Sequence, residues 1–231
     1  MLCFASLACL SQNSIDSDPL YQRVLPGSAS IDLEKIEEGV ISYKKFRGKM
    51  THHLSEIGSH YKLFIEFVVN AKEAPDTVYF DKETLAFERR HFYNAWGKYT
   101  GKLRFENDKL IGEITPDETG SQLQEQLVFN KQYDFELFEP AMLNYIIGAL
   151  PLSMGFSASL PMLDLNKGSE LIWANIKVEG EEIVKSNGNQ YETWRVTSYG
   201  SRNKIFWIDK HRNVMVKMQN EGVKFNWKLS E

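Results

Sequence analysis

The chain has 231 residues, of which 42% are hydrophobic, 25% charged and 13% aromatic. That is enough to bury a substantial core, and it is the composition neither of a disordered tail nor of a helical membrane bundle. With 27 Lys and Arg against 31 Asp and Glu the net charge is −4, so no basic excess marks a nucleic-acid binder.

Residues 1–11 are apolar and rich in small side chains, and they run into the polar stretch Asn13-Ser-Ile-Asp-Ser-Asp18. This pattern reads as the second half of a secretory signal, an apolar core ending in Ala, Ser and Cys, with its basic beginning upstream and cleavage between Ala8 and Gln12. So short an apolar run cannot span a bilayer as a helix, and no transmembrane span is expected. Two alternatives stay open, a buried N-terminal strand or short helix and a lipoprotein acylated at Cys9 in Ser6-Leu7-Ala8-Cys9. The only cysteines are Cys3 and Cys9. Cleavage after Cys9 leaves no thiol, which excludes a disulfide scaffold and suits a periplasmic or otherwise extracytoplasmic location.

Residues 12–39 form a polar segment with a short helix expected at Asp32 to Gly39. From Val40 onward the chain reads as successive strands. In Tyr61-Lys-Leu-Phe-Ile-Glu-Phe-Val-Val69, Tyr61, Leu63, Ile65 and Phe67 face one way, and this two-residue period with branched and aromatic side chains marks a strand. Strands follow at Thr77–Phe80, Leu85–Trp96, Tyr99–Phe105, Lys109–Ile114 and Gln122–Phe129. Pro75-Asp76, Asn107-Asp108 and Pro116-Asp117 supply turns between them.

The rhythm changes once. Between Glu136 and Leu150, Met142, Tyr145, Ile146 and Ala149 recur at helical spacing, Pro140 suits a first turn and Pro151 a stop, which predicts one short helix. Strands then resume at Leu171–Glu179, Glu181–Val184 and Tyr191–Ser198, with Asn187-Gly188 as a hairpin turn in which both residues take positive φ. Lys204–Asp209, Val214–Gln219 and Val223–Leu229 complete a meander. The expected fold is mainly β (α+β): over residues 40–231, a curved antiparallel sheet forming an incomplete barrel plugged by one short helix.

Ala149-Leu-Pro-Leu152, Leu160-Pro-Met-Leu163, Ile176-Lys-Val-Glu-Gly-Glu-Glu-Ile-Val184, Tyr191-Glu-Thr-Trp-Arg-Val196 and Phe206-Trp-Ile-Asp-Lys210 carry a family resemblance, with Val78-Tyr-Phe-Asp-Lys-Glu-Thr-Leu85 upstream. Over residues 40–220 the chain resembles uncharacterised secreted bacterial proteins related to the periplasmic lipoprotein carriers of the LolA and LolB type. The resemblance implies a half-barrel closed on its concave side by a helix, with an apolar interior that holds acyl chains in the carriers.

Catalytic patterns are sparse. His53, Glu56 and His60 are the candidate metal set, but Gly58 and the flanking strands point to a polar loop, so no metal site is expected. There is no nucleophile elbow, phosphate loop or dinucleotide fingerprint, and no cofactor is expected. Adjacent carboxylates such as Glu181-Glu182 point to opposite faces of a strand, which is wrong for an acid–base pair. Arg89-Arg90-His91 reads either as an anionic head-group site or as a solvated strand face.

Trp173, Trp194, Trp207 and Trp227 fall in different strands, several of them apolar on both faces. Either core packing or a ligand cavity accounts for this. The expectation is an exported, non-catalytic binding protein with a lipid or other apolar ligand in its concavity, lined by Met142, Tyr145, Ile146, Trp194 and Phe206. The alternatives are an envelope structural protein with a self-filled core that recruits a protein partner by strand addition, and a hydrolase with an unrecognised site.

Overall fold

The computed structural model describes residues 22–23, 31–117, 120–164, 170–200, 203–222 and 226–230. The expected leader at residues 1–11, with both cysteines, lies outside the described residues, as do most of the polar segment behind it and the start of the Val223–Leu229 strand.

Strands β1 (Gln22–Arg23), β2 (Gly39–Lys45), β3 (Gly48–Ile57), β4 (His60–Val69) and β5 (Lys72–Glu73) are followed by β6 (Asp76–Asp81), β7 (Phe87–Asn94), β8 (Tyr99–Glu106), β9 (Lys109–Pro116) and β10 (Leu127–Gln132). A 3₁₀ turn at Pro140–Met142 leads into α1 (Leu143–Ala149). Then come β11 (Ser157–Asp164), β12 (Glu170–Ser186), β13 (Asn189–Tyr199), β14 (Lys204–Asp209), β15 (Met215–Asn220) and β16 (Trp227–Leu229).

All belong to one sheet, ordered β1-β11-β12-β13-β14-β15-β16-β2-β3-β4-β6-β7-β8-β9-β10, with β5 against β4. Its pairings are antiparallel except β1 with β11. The alternation read from the sequence sets the faces: Tyr61, Leu63 and Ile65 of β4 are buried, as are Val78 and Phe80 of β6. Asn187 and Gly188 take φ of 49° and 79°, the conformation their hairpin demands. In β14 the run Phe206, Trp207, Ile208 and Asp209 is buried throughout, so both faces of that strand are covered.

The sheet curls around α1, whose seven residues are all buried, as expected of a helix with no charged face. Just before it, the Phe138 amide bonds Pro161 of β11 while the Leu137 carbonyl accepts from Phe87 of β7. One short segment thereby ties distant strands of the sheet together. Partners reach both ends of this turn-and-helix segment. Glu139 accepts from the Ala141 amide at 2.7 Å, the Asp32 amide donates to the Ala149 carbonyl at 2.8 Å, and Lys35 Nζ donates to the Leu150 carbonyl at 3.2 Å. Gly148 presses on the β14–β15 turn, where a Cβ would meet the Asn213 carbonyl oxygen at 2.1 Å. Gly148→Ala is therefore expected to cost about 1–3 kcal/mol, read as a lowered urea midpoint with an unchanged slope.

Five segments differ from their sequence reading. The helix expected at Asp32–Gly39 is a 3₁₀ turn at Leu33–Lys35, and β2 begins at Gly39. The polar loop expected around His53 and Glu56 is strand β3, in which Met50, Thr51, His52 and Leu54 are buried. Residues Gln122 to Gln126 are not strand. Gln122 and Leu123 instead donate to the Gly97 carbonyl and the Ser121 hydroxyl, and β10 starts at Leu127. Strand β11 carries Pro161 and has no counterpart in the sequence reading, and Leu171–Val184 is one strand with a register shift at Val178/Gly180. No helix among the described residues is long and apolar enough to cross a membrane.

Candidate functional site

Alternation along β7 sends Arg90 and Phe92 inward and leaves Arg89 and His91 exposed, so the Arg89-Arg90-His91 triplet splits across the sheet. Inside, Arg90 and Phe92 border a cavity of 550 Å³ whose walls include Met50, Phe67, Trp96, Tyr99 and Leu123. Pockets of this size, apolar with a few convergent polar groups, are the usual form of small-ligand sites. The Phe92 ring lies across Gly101, where a Cβ would sit 2.2 Å from it, and the Gln122–Leu127 segment forms another wall. Trp96, 38% exposed, stands at the rim edge-on to Phe67 with 5.3 Å between centroids.

Arg90 and Asp76 supply the cavity's charged groups. The Arg90 guanidinium donates from Nε to Asp76 Oδ1 at 3.0 Å and from Nη2 to Asp76 Oδ2 at 2.6 Å, a two-pronged pair. Its Nη1 donates to Glu139, the fully buried carboxylate that caps the turn before α1. Burial alone would lower the Arg90 pKa, but Asp76 and Glu139 hold the guanidinium protonated above its ordinary value. Burial raises the Glu139 pKa and Arg90 opposes that rise. With two carboxylates on one guanidinium, the cavity offers a polar end of a ligand N–H donors and carboxylate acceptors but no surplus positive charge.

A second concavity, a 780 Å³ groove on the opposite face of the sheet, is bordered by Arg89, His91, Lys102, Arg104 and Val128. The sheet separates it from the interior.

The residues read from sequence as cavity lining are placed otherwise. Met142, Tyr145, Ile146 and Phe206 come together in the main core, each no more than 7% exposed, and none borders the 550 Å³ cavity. Trp194 is half-buried at the edge of that core under the Lys210 ammonium, 4.2 Å from its ring. His53, Glu56 and His60 do not converge: they pair with Glu66, Lys82 and Glu88 respectively. Residues the sequence reading missed, Phe67, Phe92, Trp96 and Tyr99, build the cavity. Their only signal was the alternation that puts Phe67 with the buried face of β4.

A family model described as a protein of unknown function (DUF3108) matches residues 36–225. The chain belongs to the DUF3108 family. That match spans β2 to β15 and all the cavity walls named above. No curated protein matches the chain. A solved structure, titled the beta-barrel-like protein of domain of unknown function DUF1849 from Brucella abortus, is similar at 11% identity with a TM-score of 0.49. The similarity covers 83% of this chain and 93% of that one.

Proposed function

We propose that this DUF3108 protein is an exported, non-catalytic binding protein that holds an apolar or amphipathic, lipid-like ligand in the cavity bordered by Phe67, Phe92, Trp96 and Tyr99. The observation that carries the reading is the cavity itself: 550 Å³ of space walled mainly by aromatic and aliphatic side chains, with Asn94, Gln122 and the paired Arg90 and Asp76 among them. A chain placed there gains about 0.8 kcal/mol per buried methylene, which offsets the entropic cost of association without any catalytic group. The resemblance to carriers of the LolA and LolB type supports the same use of a concave interior, and the apolar run at residues 1–11 supports export.

The test is solvent extraction and native mass spectrometry of the full chain purified from an envelope fraction. A copurifying amphiphile is expected, and it should be lost in Ala74→Phe, which fills the cavity from the 7%-exposed Ala74 on its wall. Equal ligand content in that variant, with its fold intact by circular dichroism, would remove the cavity from consideration.

A further inference from the structure

The outer face of the sheet carries an arrangement that folding alone disfavours. The register places Lys49 of β3 opposite Lys44 of β2, Lys44 opposite Lys228 of β16, and Lys228 opposite Lys217 of β15. Directly paired residues share a face, so four lysines on four adjacent strands form one row, about 14 Å long at the usual strand spacing. Like charges directly opposite one another destabilise a sheet.

No ion pair compensates Lys44, Lys49 or Lys228 among the described residues, and all three are exposed. Lys217 ends the row, stacked 3.7 Å from the Trp207 ring, with Glu182 beside that ring through a 2.7 Å bond to its indole nitrogen. Of the acids on neighbouring strands, Glu66 is held by His53, and Glu73 of β5 lies on the line of the row but two strands beyond Lys49, across Val68.

The same hairpin projects an apolar group. The β2–β3 turn is Phe46-Arg47, and Phe46 is 62% exposed with the Arg47 guanidinium 5.2 Å from its ring. Lys45 lies 4.5 Å from the Trp227 ring, and Trp227 packs on Phe67 of the cavity wall at 5.2 Å. The basic, aromatic tip thus stands at the cavity's end of the sheet, joined to its rim by Trp227, Phe67 and Trp96.

From these contacts we infer that the Lys44–Lys49–Lys217–Lys228 row and the Phe46 tip dock on an anionic phospholipid bilayer. A planar lattice of phosphates matches a row of lysines on adjacent strands, and an exposed phenylalanine amid cations is suited to the boundary between head groups and acyl chains. The aromatic tip is what favours a bilayer over a soluble polyanion. Docking there brings the cavity rim to the membrane, but the row stands whether or not the cavity is filled.

The test is co-flotation of the full chain with vesicles of phosphatidylcholine alone and of phosphatidylcholine mixed with phosphatidylglycerol. Binding is expected to the mixed vesicles only and to be reversed by salt. Each lysine neutralised near such a surface weakens binding about fivefold, so Lys44→Gln with Lys228→Gln should lower it about 25-fold. Phe46→Ser should lower it further, while Lys131→Gln, on the distant strand β10, should not change it. Equal binding to neutral vesicles, undiminished binding of the double variant, or tighter binding to soluble polyphosphate than to mixed vesicles would each overturn the inference.

Discussion

Arg90→Met is expected to destabilise the protein by about 3–5 kcal/mol at neutral pH. The substitution keeps an unbranched side chain of similar reach but strands two carboxylates that the guanidinium now serves at once, Asp76 through two hydrogen bonds and Glu139 through a third. Glu139 is fully buried and caps the turn that starts the helix, so it cannot swing out to water without unpinning that turn. Lysine is no substitute, since a single ammonium cannot address Asp76 in two-pronged fashion and reach Glu139 as well. The deficit should shrink as pH falls through the carboxylate range, because protonation removes the uncompensated charge. It should also shrink when Asp76→Asn and Glu139→Gln are added, because a neutral polar cluster needs no counter-charge. Urea denaturation of the parent, the single variant and the triple variant across pH checks both statements. A single variant as stable as the parent at pH 7 would show that the network does not hold the helix.

The second large effect belongs to His52. It is 3% exposed on β3, its Nδ1 is 3.1 Å from the Tyr145 hydroxyl, and its Nε2 has no hydrogen-bond partner among the described residues. Burial, aided by the nearby His53, lowers its pKa to about 3. The unfolded chain therefore binds a proton at this position between pH 6.5 and about 3 while the folded chain does not. Stability from this group is complete above pH 6.5 and is lost as pH falls toward 3, by up to about 1.4 kcal/mol per pH unit. His52→Phe is expected to flatten that part of the stability–pH curve. At pH 7 it should cost about 1–3 kcal/mol, because the Tyr145 hydroxyl loses its partner in the core. Denaturation midpoints from pH 7 to pH 4 measure the slope, and an unchanged slope in the variant would place the responsible titration elsewhere.

Much of the fold was legible because residues with one buried face announce it. The alternation in β4, the Asn187-Gly188 turn and the helical spacing of Met142, Tyr145, Ile146 and Ala149 each depend on neighbours within a few positions. What was not legible depends on partners far along the chain. Strand β3 hides behind Thr51, His52 and His53, polar residues that are inward or paired only because Tyr145 and Glu66 lie across from them. Strand β11 tolerates Pro161 because its bond to Phe138 needs only the proline carbonyl, which accepts from the Phe138 amide, and asks for no N–H at that position. The Gln122 amide ends on the Gly97 carbonyl, a pairing no local pattern encodes.

The candidate site follows the same division. That Arg90 shares a face with Phe92 can be read from the alternation along β7. That this arginine meets Glu139 cannot, because their bond crosses 49 positions. Met142, Tyr145 and Ile146 were correctly legible as helix but not as packed rather than open, since a sequence records side chains and not the space left between them.

The sheet order has a temporal consequence. Strands β2 to β10 and β11 to β15 are each laid down by neighbours in sequence, yet among the described residues the two runs are joined as one sheet by β16, which pairs Lys228 with Lys44 and Leu229 with Tyr43. Until residue 229 has been synthesised, a growing chain holds two unjoined edges, and contacts between such remote positions form slowly. Strand β16, made after both of the runs it joins, therefore acts as the fastener, and a chaperone that meets the chain before that point meets the flanks of β2 and β15 still bare.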